Sequence, residues 1–366
     1  MTCGRDIFGG IDNSIYNLSL GFQAFGINVC AYSSNVSNSA PMVGPISVYR
    51  SALLPSELPE GYQHQTIVRC LKERGREIRE EFFAFVRREQ IDYVITCDPI
   101  WGMLQEAGAC VDAPCPIVLS LHVVNSKDVL VRAQETPYLF RQVVSPWLKA
   151  QLEQICPRLD LTVIPNSIDL SQFQPQQNLG RQSNIIFCNA RVSRDKGTIY
   201  LVRAFAQFVK QHQKFELWLC NGSYPFGDRS TAFQEISHEI DILDIAPKVR
   251  FLPTLSWQEI PAMTRQAFAV ALPTVSETFG RAAIETLACG VPLAISAIDN
   301  VPYLVKNAAL LVAPRSSQSL YEALMALVGD PELYQRLCMQ GPPVAANYDN
   351  LLVAQQFLLA MGARLK

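Results

Sequence analysis

Two glutamates, Glu277 and Glu285, stand eight positions apart in the stretch SETFGRAAIETLACGVP, residues 276–292. A second cluster, NARVSRDKG at 189–197, carries Arg191 and Lys196. Carboxylates accept hydrogen bonds from hydroxyl groups. A guanidinium offers phosphate oxygens a forked donor, and an ammonium offers them a point charge. Such a set can hold a molecule with phosphates in its middle and hydroxyls at both ends. Eight helical residues rise about 12 Å, which suits a sugar on one side of a diphosphate and a ribose on the other. Each cluster also reads, taken singly, as surface charge. Glutamates near a helix start are favoured by its dipole, and loops commonly carry basic residues.

The residues between the glutamates add to the first reading. AFAVALP (267–273) has the pattern of a buried strand. RAAIETLAC (281–289) has that of a helix, stopped by Gly290 with Pro292 beyond. Thr278, Phe279 and Gly280 fall at the helix start, where backbone N–H groups face outward and favour an anion such as a diphosphate. Gly280 permits close backbone approach. In parallel sheets ligands bind where strands end and helices begin. Gly197 eases entry into the helix that follows the basic cluster.

Three further segments carry weaker signals. Gly9–Gly10 in DIFGGIDNSIYN precedes a helix and reads as a phosphate or acceptor loop, or as a simple tight turn. His122 lies just past the strand pattern IVLSL (117–121). It can hydrogen-bond a substrate hydroxyl or phosphate, or serve as a satisfied structural histidine. VIPNSIDLSQF (163–173) reads as a rigid turn leaving the first half.

The elements that must position these residues follow a repeating style. In the first half the expected strands are 27–32, 46–49, 92–96, 117–121, 142–145 and 161–164. A helix spans 68–88, with Leu71, Ile78, Phe82, Phe85 and Val86 at helical spacing. In the second half the expected strands are 184–190, 215–220, 248–252, 267–273 and 291–296, with a helix over 197–211. Unbroken apolar strands alternating with helices predict parallel sheets covered on both faces. A length of 366 residues fits two such domains. The polar stretch 171–183 reads as the linker. A final helix, 350–361, is expected after the breaker GPP at 341–343.

Composition excludes other classes. A net charge of -2 with no run of one sign gives no broad surface for nucleic acid or membrane. Eleven cysteines form no CxxC and only four histidines are present, so zinc-type spacing is absent. Cys30, Cys97, Cys188 and Cys220 sit in strand patterns and read as small hydrophobes in a reducing cytosol, without disulfides. No apolar run reaches membrane-spanning length. MTCGRDIFGG lacks the apolar core of a signal peptide.

Taken in order, these segments resemble the group 1 (family 4) retaining glycosyltransferases. That family shows a Gly–Gly loop near the start, a histidine after a mid-domain strand and a PNG(V/I)D..F turn. It continues with GR….KG, then E…FG…E with a trailing A.G.P. The chain shows Gly9–Gly10, His122, PNSIDLSQF, ARVSRDKG and SETFGRAAIETLACGVP. The resemblance implies a GT-B fold, an α/β architecture of two Rossmann-like domains whose parallel sheets face a central cleft. The domains would span 1–170 and 183–345, with a helix in 346–366 crossing back to the first.

It also implies a nucleotide-diphosphate sugar as donor, held mainly by the second domain, and a glycan, lipid or small-molecule acceptor. Glu277 would hold sugar hydroxyls and Glu285 the ribose. Arg191 and Lys196 would stabilise the departing diphosphate. Gly10 and His122 would line the donor and acceptor sides. Transfer would retain configuration by same-face attack, with no protein nucleophile, no metal and no cofactor beyond the donor. The expected setting is cytoplasmic, with room for peripheral membrane contact at an inner membrane face.

The pattern has departures. Ser167 replaces a glycine, Asn189–Ala190 stands where a glycine usually precedes the arginine, and Asn300 and Tyr303 replace a GG.PE element. MTCGRDIF is a poor version of the buried first strand, so a longer native N-terminus is expected. The competing readings are a nucleotide-sugar epimerase and a non-catalytic GT-B protein.

Overall fold

The computed structural model describes residues 10–33, 42–43, 46–51, 53, 63–97, 112–176, 183–220, 229–253, 255–256 and 258–364. The chain divides into two units, Met1–Ser167 with Asn350–Lys366, and Ile168–Asp349. Gly9, the segment MTCGRDIF and linker residues 177–182 lie outside the described residues.

The first unit runs α1 (Gly10–Ala24), β1 (Cys30–Ser33), β2 (Met42–Val43), β3 (Ile46–Arg50), α2 (Gln63–Arg88), β4 (Val94–Cys97) and β5 (Ile117–Leu121). It continues through α3 (Lys127–Glu135), β6 (Phe140–Val143), α4 (Pro146–Ile155) and β7 (Thr162–Val163). Strands β4-β5-β6-β7 form a parallel sheet. Strand β3 pairs in parallel with β1 and antiparallel with β2. Among the described residues the unit thus carries two sheets where the sequence predicts one, and β1 and β4 each pair on one side only.

Helix α2 forms as its spacing predicts. Ile78, Phe82, Phe83, Phe85 and Val86 are buried, while Arg74–Glu77 and Arg76–Glu80 pair on the exposed face. Its Phe82 and Phe85 rings pack on Tyr32 of β1 and Tyr49 of β3, with centroids 4.9 and 4.7 Å apart. Strand β6 ends two residues before the predicted limit because Ser145 is taken as a helix cap. Its side chain accepts from the Leu148 N–H, and Pro146 opens α4.

The second unit runs β8 (Ile185–Arg191), α5 (Thr198–Gln211), β9 (Glu216–Cys220), α6 (Arg229–Ile242), β10 (Val249–Leu252), α7 (Ile260–Gln266) and β11 (Ala269–Leu272). Then come α8 (Arg281–Ala288), β12 (Leu293–Ser296), α9 (Val301–Val305), β13 (Leu310–Val312), α10 (Ser317–Gly329) and α11 (Pro331–Ala345). One parallel sheet results, ordered β10-β9-β8-β11-β12-β13. Strand β13 is too short to stand out in the sequence.

Helix α11 runs straight through Gly341–Pro342–Pro343, which the sequence marks as a breaker. Tertiary packing overrides propensity here. A side chain at Gly341 would stand 2.6 Å from the Leu287 carbonyl oxygen of α8, so α11 lies directly against that helix. Each proline lacks the N–H that would donate to the Cys338 or Met339 carbonyl, so the helix continues there at a cost that the packing on α8 offsets.

The chain ends in α12 (Asn350–Arg364), a member of the first unit. Its Val353, Ala354, Phe357 and Met361 join Leu18 and Phe22 of α1 and Val118 and Phe140 of the four-stranded sheet in one apolar cluster. Phe357 sits between the Phe22 and Phe140 rings, at centroid distances of 6.1 and 6.3 Å. Phe357→Ala is expected to cost about 3–5 kcal/mol and to lower the melting midpoint of the first unit by on the order of 10 °C. A midpoint unchanged in calorimetry would show that α12 is not part of the cooperative core.

Candidate functional site

Strands β8 and β11 lie side by side, and the chain leaves them in opposite directions, toward β9 and toward β12. Loops at the carboxyl ends of such a strand pair diverge and leave a crevice for a ligand. The loops here are 192–197 and 273–280, and they are laced together. The Val275 N–H donates to the Asp195 carbonyl oxygen at 2.9 Å. Gly197 has φ 64°, and a Cβ there would stand 2.1 Å from the Pro273 carbonyl oxygen. Only glycine meets both conditions.

This approach brings Lys196 Nζ within 2.9 Å of Glu277 Oε2, each side chain 21% exposed. Arg191 Nη2 pairs with Asp195 Oδ2 at 2.9 Å in a more open position. Burial works to raise the Asp195 carboxyl. The neighbouring Ser193 hydroxyl and the charges of Arg191 and Lys196 outweigh it and hold the group below its usual range. The Glu277 backbone N–H donates to Asp299 Oδ2 at 2.8 Å, which fixes the loop from the β12 side.

Gly280, at φ 104°, caps α8, and half-buried Thr278 and buried Phe279 precede it. The Phe279 carbonyl accepts from Asn300 Nδ2 at 3.1 Å. Glu285 is only 7% exposed. One turn earlier, Arg281 donates from Nε (3.1 Å) and Nη2 (2.5 Å) to Glu285 Oε1. This buried pair is of the kind whose rupture leaves a costly uncompensated charge. The end of β8 carries a bulge between Cys188 and Arg191. There Asn189 Nδ2 reaches Ala282 O and Thr286 Oγ1 of α8, both at 3.4 Å. Bulges commonly re-aim side chains beside sites.

The structure thus brings Arg191, Lys196, Glu277, Thr278, Phe279, Gly280 and Glu285 to one end of the second sheet. Of the departures from the family pattern, Asn300 is buried and bonded, whereas Tyr303 is exposed. Sequence reasoning missed Asp195, Arg281 and Asp299. Arg281 was legible as the i, i+4 partner of Glu285, and Asp299 falls just past a strand end. Among the described residues no group of three His, Cys, Asp or Glu could hold a metal ion. No described helix is long and apolar enough to cross a membrane. The described cysteines are free, and burial raises the Cys188 thiol to about 11.

Two predicted site residues belong to the first unit. Gly10 opens α1. His122 follows β5, is 6% exposed, and has Nε2 2.9 Å from Ser120 Oγ. Burial lowers its pKa to about 4.

Solved structures with this architecture include sucrose-phosphate synthase from Thermosynechococcus elongatus, with a TM-score of 0.82 and 19% identity over 98% of this chain and 94% of that one. Another is the Anabaena protein HepE in complex with UDP and glucose, with a TM-score of 0.78 and 16% identity over 99% and 98%. The fold is GT-B. Residues 171–342, which contain the whole of the second-unit cluster, match the family glycosyl transferases group 1. Over that span the second unit is therefore similar to the group 1 glycosyltransferases.

Curated relatives include D-inositol 3-phosphate glycosyltransferases. That of Corynebacterium kroppenstedtii is 27% identical over 57% of this chain and 48% of its own length. That of Nocardia farcinica is 27% identical over 76% and 62%. The chain spans about half the length of the first curated relatives it matches.

Two outcomes follow from this geometry. Gly197→Ala forces a side chain onto the Pro273 carbonyl and is expected to destabilise the second unit by about 1–3 kcal/mol, read as a lower urea midpoint. His122 is neutral in the fold, while an unfolded histidine gains its proton near pH 6.5. The unfolded chain therefore binds more protons below that value. Stability is expected to fall as pH drops from 6.5 toward about 4. Comparing urea unfolding of the wild type with His122→Asn across that window checks it, since the variant should lose that part of the slope.

Proposed function

We propose that the chain is a retaining glycosyltransferase that moves a sugar from a nucleotide-diphosphate donor to a hydroxyl of a glycan, lipid or small molecule. One observation carries this reading. The pairs Lys196–Glu277 and Arg281–Glu285 flank a glycine-capped helix start at the carboxyl ends of β8 and β11. The group 1 match over the same residues supports it.

In this reading the backbone N–H groups of Thr278, Phe279 and Gly280 receive the diphosphate. Glu277 holds donor-sugar hydroxyls. The two Arg281 bonds to Glu285 land on Oε1, which leaves Oε2 for a ribose hydroxyl. The C1–O bond to the diphosphate breaks while the acceptor oxygen bonds C1 on the same face. The acceptor proton passes to the leaving diphosphate, so atoms and charge balance without a protein nucleophile. Lys196 and Arg191 stabilise the charge that grows on the leaving group, the role a divalent ion fills in other designs. Gly10 and His122 serve the sugar and acceptor from the first unit. HepE has been crystallised with UDP-glucose, which makes UDP-glucose the first donor to try. The names of the curated relatives make inositol 3-phosphate the first acceptor.

The test is thermal melting with UDP, GDP and ADP, followed by product analysis. One nucleotide is expected to raise the midpoint by about 2–4 °C per kcal/mol of binding, and Glu285→Gln to shrink that shift. With the matching nucleotide sugar, Lys196→Ala is expected to lower turnover about 100-fold or more. No shift with any of the three nucleotides would sink the reading. A shift without transfer or donor hydrolysis would point to a binding protein. Isomerised donor sugar would point to an epimerase.

A further inference from the structure

The first unit holds a buried polar relay that its apolar sheet does not require. Gln142 on β6 is 2% exposed, and its Nε2 donates to the Ile164 carbonyl oxygen. A carbonyl only accepts, so this bond decides which way the Gln142 amide faces. Its Oε1 then meets Ser120 Oγ on β5. That oxygen also only accepts, so the one Ser120 proton is committed to it. The Ser120 oxygen, 2.9 Å from His122 Nε2, has only lone pairs left to offer. Nε2 must therefore carry a proton. Burial disfavours a second proton on the ring, and Nδ1 is left as a bare lone pair.

Nδ1 is buried and has no hydrogen-bond partner. Three residues on, Asn125 repeats the pattern. Its Nδ2 donates to the Val123 carbonyl at 2.9 Å, and its buried Oδ1 has no partner. Both orphan atoms of this loop are acceptors. Buried acceptors without a donor also occur at Asn189, Asn300 and Gln340, but here two lie three residues apart in one loop, an arrangement that suits a ligand that donates.

We infer that Ser120 and Gln142 are positioning residues that lock His122 as its Nε2–H tautomer, so that Nδ1 and Asn125 Oδ1 accept from the hydroxyls of a sugar or polyol. An oxyanion without a proton, such as sulfate or the diphosphate of a nucleotide sugar, brings lone pairs only and is refused at this point. This inference rests on the proposed sugar-transfer reading and narrows it, since a histidine of unknown tautomer could meet either group. Residues 123–126 join β5 to α3 outside regular backbone pairing.

The chain contains four histidines, so selective 15N labelling of histidine in the full chain gives few ring signals, and His122→Asn assigns the one in question. Long-range proton–nitrogen spectra report which ring nitrogen carries the proton. The Nε2–H pattern is expected in the wild type. Ser120→Ala is expected to mix the tautomers, and Ser120→Thr, which keeps the hydroxyl, to restore a single one. UDP-glucose, GDP-glucose, ADP-glucose, myo-inositol, UDP and sulfate are then added in turn.

The Nδ1 resonance is expected to move with at least one sugar or polyol and to stay still with UDP and sulfate. An Nδ1–H pattern in the wild type overturns the lock, and this arm stands even if Ser120→Ala does not fold. An Nε2–H pattern unchanged in a folded Ser120→Ala overturns the positioning role. An Nδ1 that answers to sulfate, or to no probe, overturns the ligand assignment. A nucleotide that raises the melting midpoint without any sugar moving Nδ1 leaves the proposed transfer standing and sinks only this inference.

Discussion

The absence of a side chain at Gly197 is the constraint on which the second unit's site depends. The backbone there comes so near the Pro273 carbonyl that a Cβ would stand 2.1 Å from its oxygen. That approach is a consequence of the sheet. Strands β8 and β11 pair through Ile186 with Ala269 and Phe187 with Val270, all buried apolar residues whose packing holds the register. The loops that leave these strands inherit the closeness and knit together through Val275 and Asp195. Lys196 and Glu277, 81 residues apart in sequence, meet because of it. A charged contact in this unit is thus an outcome of apolar packing several residues away.

Burial separates the two ion pairs into different jobs. Lys196 and Glu277 keep a fifth of their side-chain surface in solvent, so water screens their attraction and a ligand can take over part of it. Arg281 and Glu285 are buried to 13% and 9% exposure. Their mutual attraction is less screened, and separating them would strand a charge. The first pair is therefore suited to exchange partners and the second to stay made. In the proposed reaction that division is useful. The carboxylate near the reacting sugar must accommodate charge that builds and leaves, whereas the ribose carboxylate has only to hold a fixed orientation.

The legible part of the site was the part written in local order. The glutamate pair, the basic cluster and the stops at Gly290 and Pro292 lie within short stretches, and strand-end logic assigns them to one face. Burial of Glu285 was harder to see, because a carboxylate suggests solvent until Arg281 is counted as its partner one turn away. Asp299 carried only its place past a strand end and Asn300 only a departure from the family pattern, and that both brace the 277–280 loop follows from the strand order alone. The fold shows the same division. Apolar runs marked most strands closely, but the run through Pro342 and Pro343 follows from the contact of Gly341 with α8, a long-range fact that overrides a local signal. The two-sheet arrangement of the first unit's described residues likewise depends on pairing partners that no single run encodes.

Hydrogen-bond direction adds a kind of information that charge does not. The second unit works with formal charges, which attract any ion of opposite sign over several ångströms. The groups of the His122 relay are neutral, and its selectivity comes from which atom donates. The Ile164 carbonyl starts that decision, Gln142 and Ser120 transmit it, and His122 Nδ1 expresses it as a lone pair. Each step is forced because carbonyl and amide oxygens cannot donate and a serine has a single proton. A neutral acceptor of fixed polarity discriminates against a proton-free oxyanion without repelling it by charge. It also keeps that preference across the range in which an ordinary histidine would titrate, because burial holds the ring neutral well below it.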